Sequence, residues 1–299
     1  MKLFLLLICY ALSLYSYAHH PSIKFNHIVI TNDNGIKDAK RLMALAQKVK
    51  PYATQVSIVV SDKDRSGYTN FSSIGKNNTS LTVTCKQYDE KTHIALYTTS
   101  GTPADNVLVA ILGLFADNVP DLILSGINGG PNTGASWFQS GTIGAVRMAA
   151  YLGVKAVSFS GFNRHQESAF EKIPAWIAKF ITSPAVSKMA HGQYITVAFP
   201  DVAFKDYKGI QLIDRAITYN NPVALAGFKN SEETNPHQSG NSSHWKLQYL
   251  KKPKAHQPKK DIEYIKEGYI VISAMTIDEN EPSLQKELKL IQNQIPPFE

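Results

Sequence analysis

Apolar strands alternate with amphipathic helices along the first half of the chain. Residues 23–30 form a short apolar run that predicts a strand. Apolar side chains then recur at helical spacing from Ile36 to Val49, and Pro51 ends the pattern. Residues 56–60 predict a second strand, which completes the strand–helix–strand unit typical of a parallel sheet.

The same alternation continues to about residue 160. Residues 80–84 and 93–97 are rich in β-prone side chains and predict antiparallel or edge strands. The elements predicted after them are a helix opening at residues 101–105, a strand at 122–124, a helix from residue 142 to about 152 and a strand at 156–160.

This alternation predicts an α/β fold, specifically a Rossmann-like, doubly wound and mostly parallel sheet with helices on both faces. In such sheets, ligands bind in the crevice outside the carboxyl ends of the strands. Polar loops at residues 31–35, 61–67 and 125–134 each follow a predicted strand. We therefore expect the three loops to converge on one site.

The pattern is weaker beyond residue 180. Residues 220–254 are polar with few periodic apolar positions. The elements predicted in this part are strands at 194–199, 209–214 and 268–274 and a helix at 283–292. We interpret residues 19–299 as a single domain with a core at about 23–215 and a C-terminal extension at about 216–299.

Residues 1–18 have the pattern of a signal peptide. Lys2 precedes an apolar run, and the small residues Ser16 and Ala18 stand where cleavage is expected. A permanent anchor is less favoured, because it needs about 20 apolar residues and Tyr10 interrupts this run. The sequence predicts a periplasmic or secreted protein with no membrane attachment after cleavage.

The chain has a formal net charge of +7, partly from a Lys/Pro-rich segment. This segment could attract anionic substrates, but such runs are more typical of solvated loops. The chain lacks the interleaved aromatic and basic residues of single-strand grooves, so no nucleic-acid partner is expected. Its lysines are Lys251, Lys252, Lys254, Lys259 and Lys260.

Several catalytic signatures are missing from the sequence. The dinucleotide fingerprint, the P-loop, the H-E-x-x-H zinc motif and the G-x-S-x-G nucleophile elbow do not occur at the required places. Only Cys85 remains after signal cleavage, which excludes an intrachain disulfide. These observations argue against hydride transfer, P-loop hydrolysis, zincin chemistry and serine-hydrolase chemistry.

The polar loops instead offer oxygen ligands. Asp33 and Asn34 lie on the first loop, Ser66 on the second and Asn128 on the third. A carboxylate, two amide oxygens and a hydroxyl suit Mg²⁺, Mn²⁺ or Ca²⁺ better than zinc. Each residue alone is an ordinary turn former, but their shared location favours a metal site.

The segment Ser140-Gly141-Thr142 has two interpretations. It opens a predicted helix, where free backbone N–H groups and two hydroxyls could bind phosphate. Serine and threonine are also the residues expected in a plain helix N-cap. The residues alone leave both interpretations open.

Five short motifs follow one another along the first half of the chain. They are TNDNG at residues 31–35, RSG at 65–67, GTPAD at 101–105, SGINGGPN at 125–132 and SGT at 140–142. Together they resemble the survival-protein SurE family of 5′/3′-nucleotidases. The resemblance is strong because the five occur in the right order, whereas any one of them is weak.

The resemblance implies hydrolysis of nucleoside monophosphates, and in some members of short polyphosphate, with one divalent cation per subunit, most simply Mg²⁺ or Mn²⁺. It also implies a C-terminal extension that swaps between subunits of a homodimer or homotetramer. By the same resemblance, the metal ligands are Asp33, Asn34, Ser66 and Asn128, with Asp33 also catalytic, and the phosphate contacts are Asn132, Ser140, Gly141 and Thr142.

Two departures from the family pattern stand out. The family normally has two adjacent aspartates in the first loop, but the second is Asn34 in this chain, which predicts weaker metal binding. The usual Ala-Pro-Gly run after this loop is replaced by residues 37–40 (KDAK). The first departure keeps an alternative open, a catalytically weakened protein that binds a nucleotide or phosphate.

Overall fold

The computed structural model describes most of the chain, and at residues 226–230 and 245–249 it describes only the backbone. The predicted signal peptide and most of the Lys/Pro-rich segment lie outside the described residues. No helix in the described ranges is long and apolar enough to cross a membrane. The structure describes residues 24–73, 80–134, 136–162, 167–216, 226–230, 245–249 and 260–290.

The strands up to β6 agree with the predicted pattern, except that β3 begins and ends later in the chain than the strand predicted at residues 80–84. In chain order they are β1 (Phe25–Thr31), β2 (Ala53–Ser61), β3 (Val83–Asp89), β4 (Ile94–Thr99), β5 (Leu122–Asn128), β6 (Lys155–Ser160), β7 (Gln193–Ala198), β8 (Gly209–Leu212), β9 (Ala226–Asn230), β10 (Trp245–Tyr249) and β11 (Tyr269–Thr276).

Two of the helices, α2 and α4, begin at N-terminal signals that the sequence shows. Thr102 and Asp105 form a capping box at the start of α2, as the GTPAD motif suggests. The helix α5 is absent from the predicted elements. In chain order the helices are α1 (Ala39–Val49), α2 (Pro103–Val109), α3 (Ser136–Gln139), α4 (Gly141–Tyr151), α5 (Ala169–Ile181), α6 (Pro184–Ser187), α7 (Asp261–Lys266) and α8 (Pro282–Leu290).

Nine of the described strands form one mostly parallel sheet, which confirms the predicted fold class. Their order is β3-β4-β2-β1-β5-β6-β7-β11-β8. The strands from β4 to β7 in this order run parallel, whereas β3 is antiparallel to β4 and β11 is antiparallel to β7. The chain builds outward from β1 to β4, then returns to β5 on the other side of β1. The topological switch point therefore lies between β1 and β5.

The prediction of an antiparallel or edge strand at residues 93–97 holds for one of its two pairings, since these residues pair antiparallel to β3 but parallel to β2. They belong to β4, which pairs parallel to β2 inside the sheet, with Val56 opposite Ile94. The strand β3 is the edge strand of this pair and runs antiparallel to β4. A β-prone run does not specify its partner strand, because pairing depends on distant parts of the chain.

Alternate residues of the central strands pack into two apolar layers, one on each face of the sheet. Ile28 and Ile30 pack with the buried sides of α1 and α5, whereas Val29, between them, packs with α2 and α4. Side chains of a strand alternate between the two faces of a sheet. This double burial explains the continuous apolar run in β1 and holds the strand ends, and thus the site, in a rigid frame.

Part of the predicted C-terminal extension belongs to the main sheet. The strand β11 lies between β7 and β8, with Val271 opposite Ala198. By contrast, β9 and β10 form a separate antiparallel pair, and α8 buries none of its residues. The strands β9 and β10 fall in the segment whose polar sequence predicts no element.

We expect His27 to make folding stability depend on pH. Burial lowers the pKa of His27 below its ordinary value of 6.5, although the carbonyl of Asn118 and the charge of Asp121 oppose this shift. The His27 imidazole therefore binds a proton more readily in the unfolded chain than in the folded one. As a result, the free energy of unfolding falls as pH drops below about 6.5.

Urea denaturation of the wild type and of His27→Gln, at pH values from about 7.5 to 5, checks this expectation. The variant keeps a polar side chain beside Ser57, to which the imidazole Nε2 is hydrogen-bonded at 3.0 Å, but it does not titrate. Its stability should fall less steeply over this range. Parallel slopes for the two proteins would contradict the assignment.

Candidate active site

The loops after β1, β2 and β5 meet at the carboxyl edge of the sheet. The N–H of Arg65 donates to the carbonyl of Asp33 at 2.7 Å, which joins the first two loops. Asn34 of the first loop and Asn128 of the third line one cleft. The expected convergence is therefore observed, and it occurs at the switch point between β1 and β5.

Asp33 lies on the first of these loops and is only 3% exposed. Its Oδ2 accepts a hydrogen bond from the N–H of Thr142 at 3.1 Å, at the start of α4. Its Oδ1 is buried without a hydrogen-bond partner among the described residues. Burial raises the pKa of Asp33, and the contacts from Thr142 oppose that rise. The carboxylate thus has one oxygen without a partner among the described residues, which is an acceptor that a bound cation would satisfy.

Asn34 and Ser66 are brought together by a hydrogen bond. The Asn34 Nδ2 donates to the Ser66 Oγ at 3.3 Å, while its Oδ1 accepts from the Arg41 guanidinium at 3.4 Å. Arg41 also pairs with the carboxylate of Asp38. A cation therefore stands beside the amide that replaces the expected second aspartate.

Asn128 and Asn132 form a second contact pair within the third loop. The Asn128 Nδ2 donates to the carbonyl of Gly130 at 2.8 Å and to the Asn132 Oδ1 at 3.3 Å. The N–H of Asn132 donates to the Ser160 Oγ at 3.0 Å, which ties the loop to the end of β6. Because the Asn128 Nδ2 is engaged within the loop, its amide oxygen is the atom suited to act as a ligand.

The segment from Ser140 to Thr142 is packed directly beneath Asp33. The Ser140 Oγ accepts from the N–H of Ile143 at 3.2 Å, so Ser140 caps α4. A Cβ at Gly141 would lie 2.8 Å from the Asp33 Cβ, so only glycine allows this close approach. The N–H of Thr142 is donated to Asp33. A phosphate contact by these three residues, and by Asn132, stays a prediction.

The donor set fits a hard divalent cation. Within the part of the chain that the structure describes, the buried Oδ1 of Asp33 is an acceptor without a partner. Neutral oxygens are available on the converging loops from Asn34, which contacts Ser66, and from Asn128, which lines the same cleft as Asn34. Across the described ranges, no group of three or more His, Cys, Asp or Glu side chains is placed to hold a metal. A single carboxylate with neutral oxygens suits Mg²⁺ or Mn²⁺ rather than zinc.

Sequence comparison gives the family. The family model described as "Survival protein SurE" matches residues 28–221, which is more than half of the chain. The chain belongs to the SurE family. The matched segment contains all three loops and all eight of the predicted site residues.

Individual SurE relatives agree with this assignment. A 5′-nucleotidase SurE of Hyphomonas neptunium is 29% identical over 265 residues, which are 88% of this chain and 97% of the relative. A 5′-nucleotidase SurE of Vibrio parahaemolyticus is 33% identical over 188 residues, or 62% and 66% of the two chains. The crystal structure of the SurE protein from Aquifex aeolicus covers 89% of this chain and 99% of its own, with a TM-score of 0.67 at 21% identity. That likeness shows a shared fold.

Two residues near the SurE site carry no sequence signal that points to it. In the sequence, Arg41 is an ordinary helix residue, but in the structure its guanidinium donates to the Oδ1 of Asn34. Asp261 lies beyond the family match and is 2% exposed, and its carboxylate accepts the N–H groups of Gly134 and Ala216, each at 2.9 Å. Asp261 thereby fastens the end of the third loop to the C-terminal part of the protein.

Proposed function

We propose that this SurE protein is a nucleotidase, a phosphoric monoester hydrolase that releases phosphate from nucleoside monophosphates. The observation that carries the proposal is the buried Asp33 carboxylate, whose Oδ1 has no partner among the described residues although it lies on one of three converging polar loops. The relatives named 5′-nucleotidase SurE support the same activity.

The proposed site is metal-dependent, with Asp33, Asn34, Ser66 and Asn128 holding one Mg²⁺ or Mn²⁺. When bound, the cation supplies positive charge beside the phosphoryl group and makes nearby water more acidic. Asp33 is the only carboxylate in the set, so it anchors the cation and orients the attacking water. Asn132 and the start of α4 supply hydrogen-bond donors that bind and orient the phosphate.

Three further properties belong to this proposal. The pattern of residues 1–18 supports export to the periplasm or the medium. The family resemblance supports short polyphosphate as an additional substrate. A homodimer or homotetramer is supported by α8, since Leu284 and Leu288 lie one turn apart on this helix and both are exposed.

The direct test is phosphate release by the purified protein from a panel of nucleoside monophosphates and short polyphosphate. The assays contain Mg²⁺, Mn²⁺ or a chelator. Release that requires a divalent cation is the expected result. A folded protein that releases no phosphate with any metal would contradict the nucleotidase proposal.

A second function, nucleotide or phosphate binding without catalysis, is favoured by one observation. The Oδ1 of Asn34 faces the Arg41 guanidinium, and a positive charge so close to a metal ligand opposes cation binding. In that case Asn34 marks a site that has kept its anion contacts and lost much of its metal affinity.

The variant Asn34→Asp separates the two functions. The added carboxylate should raise Mn²⁺ affinity about tenfold, because the charge of the ligands tunes affinity for hard cations. Phosphate release should rise with metal affinity in an active enzyme, or appear for the first time in a degenerate one. Calorimetric titration with Mn²⁺ measures the affinity independently of turnover.

Asn118→Asp is the matched control for Asn34→Asp. It adds the same charge on the exposed loop before β5, at the opposite end of the sheet. This control should leave Mn²⁺ affinity near that of the wild type. Equal affinities in the wild type and both variants would contradict a metal role for position 34.

A further inference from the structure

A cleft of about 320 Å³ opens beside the proposed metal site. Asn34 and Asn128, two of the proposed ligands, form one wall of this cleft, and Phe162 and Phe170 contribute aromatic surface. Its remaining charged side chains come from the KDAK segment and the start of α1. They are Lys37, Asp38, Lys40 and Arg41.

The charge of this cleft is positive. Arg41 pairs with Asp38 inside the cleft, and Lys37 pairs with Asp64 just outside it. Lys40 forms no ion pair with any residue that the structure describes, and its Nζ lies 4.5 Å from the centre of the Phe170 ring. Lys40 therefore keeps an ammonium group beside the site that is not neutralised by a carboxylate.

The aromatic rings hold cations rather than leaving their faces open. Besides Lys40 over Phe170, the Arg41 guanidinium lies 5.1 Å from the centre of the Phe162 ring. The two rings contact each other edge to face at 4.8 Å. Cations placed over aromatic faces are attracted by the ring quadrupole. The rings thus fix positive charge in the cleft instead of offering a surface on which a nucleobase can stack.

Resting on the proposed function, we propose that this cleft binds a second phosphate group on the ribose of the substrate, so that nucleoside bisphosphates are the preferred substrate class. A nucleoside monophosphate has one phosphate group, which binds at the metal site. The rest of that molecule is neutral, so it has no anion to pair with the Lys40 ammonium group. A bisphosphate places its second phosphate beside Lys40. The mixed aromatic and polar lining suits a phosphate attached to a sugar better than an inorganic polyphosphate chain.

The test compares adenosine 5′-monophosphate with adenosine 3′,5′-bisphosphate. For the wild type, kcat/KM should be about tenfold higher for the bisphosphate, the effect of one added charge-assisted contact. Lys40→Ala should bring this ratio close to one. Lys172→Ala is the matched control, because Lys172 lies 5.0 Å from the centre of the Phe204 ring outside the cleft, and it should keep the wild-type ratio.

A binding measurement separates this proposal from the proposed function. In calorimetric titrations with a chelator present, the bisphosphate should bind about tenfold more tightly than the monophosphate, and Lys40→Ala should remove the difference. This outcome supports the subsite even if neither nucleotide is hydrolysed in separate assays with Mg²⁺ or Mn²⁺, a result that would contradict only the nucleotidase proposal.

Three results would overturn the subsite itself. One is equal binding of the two nucleotides by the wild type. Another is a preference that Lys40→Ala leaves intact. The third is a preference for inorganic tripolyphosphate that depends on Lys40 while the bisphosphate shows none, since this would place an anhydride-linked phosphate in the cleft.

Discussion

Replacing Asp33 with asparagine or alanine is expected to reduce phosphate release about a thousandfold or more. A bound cation stabilises the transition state by several kcal/mol, and each 1.4 kcal/mol is tenfold in rate. Asp33 is the only carboxylate among the proposed ligands. The loss should appear in kcat/KM for every nucleoside monophosphate that the wild type hydrolyses, and in the affinity for Mn²⁺.

Asp33→Asn distinguishes a catalytic role from a structural one. In the wild type, the N–H of Thr142 donates to the Asp33 carboxylate at 3.1 Å. The amide oxygen of asparagine can still accept this hydrogen bond, so the contact at the start of α4 is kept. The substitution also removes a buried charge, which is costly to keep in a folded protein. We expect a thermal unfolding temperature equal to or above that of the wild type, with turnover lost.

The control for Asp33 is Asp121→Asn. The Asp121 carboxylate also accepts backbone N–H groups, from Asn26 at 2.5 Å and His27 at 3.0 Å, but at the other end of the sheet. This variant should keep full turnover. If Asp33→Asn retained wild-type activity, the reacting centre would have to lie elsewhere.

The second large effect is expected at Gly144 in α4. A Cβ at this position would lie 1.8 Å from the carbonyl oxygen of Thr69. The clash is with backbone, so α4 or the loop that carries Ser66 must move. We expect Gly144→Ala to lower the free energy of unfolding by at least about 2 to 3 kcal/mol and to weaken Mn²⁺ binding as well.

Gly113→Ala is the matched substitution for Gly144→Ala. Gly113 follows α2, has no positive φ, and a Cβ there would meet nothing within 4 Å. Alanine should therefore be neutral or stabilise the protein by up to about 1 kcal/mol. Urea denaturation measures both variants. A Gly144→Ala protein as stable as Gly113→Ala would contradict the close packing of α4 on the second loop.

The alternation of strands and helices, and hence the α/β fold, could be read from the first 160 residues. Side chains at Ile28, Val29 and Ile30 are all apolar because β1 is covered on both faces, and this burial makes the pattern continuous. The parallel pairing of β4 with β2 and the existence of β9 and β10 could not be predicted. Strand pairing depends on long-range contacts that local propensity does not specify.

The site could be predicted in outline for a related reason. Loops that follow parallel strands must emerge at one edge of the sheet, so Asp33, Ser66 and Asn128 could be placed together from their positions after three strands. The packing at the start of α4 could not be predicted without the fold, whereas a phosphate contact there stays a prediction. Ser140 caps the helix, and the N–H of Thr142 is used by Asp33 from 109 residues away.

The sequence by itself thus determined the fold class, the convergence of the three loops and the oxygen-bearing side chains on them. It could do so because periodicity and chain order are local properties. Only the tertiary structure decided which atoms remain available. It buries Asp33 with one free oxygen, places Arg41 against Asn34 and leaves Lys40 without a carboxylate partner among the described residues. These properties depend on distances between segments far apart in the chain, which are set when the helices pack on the sheet.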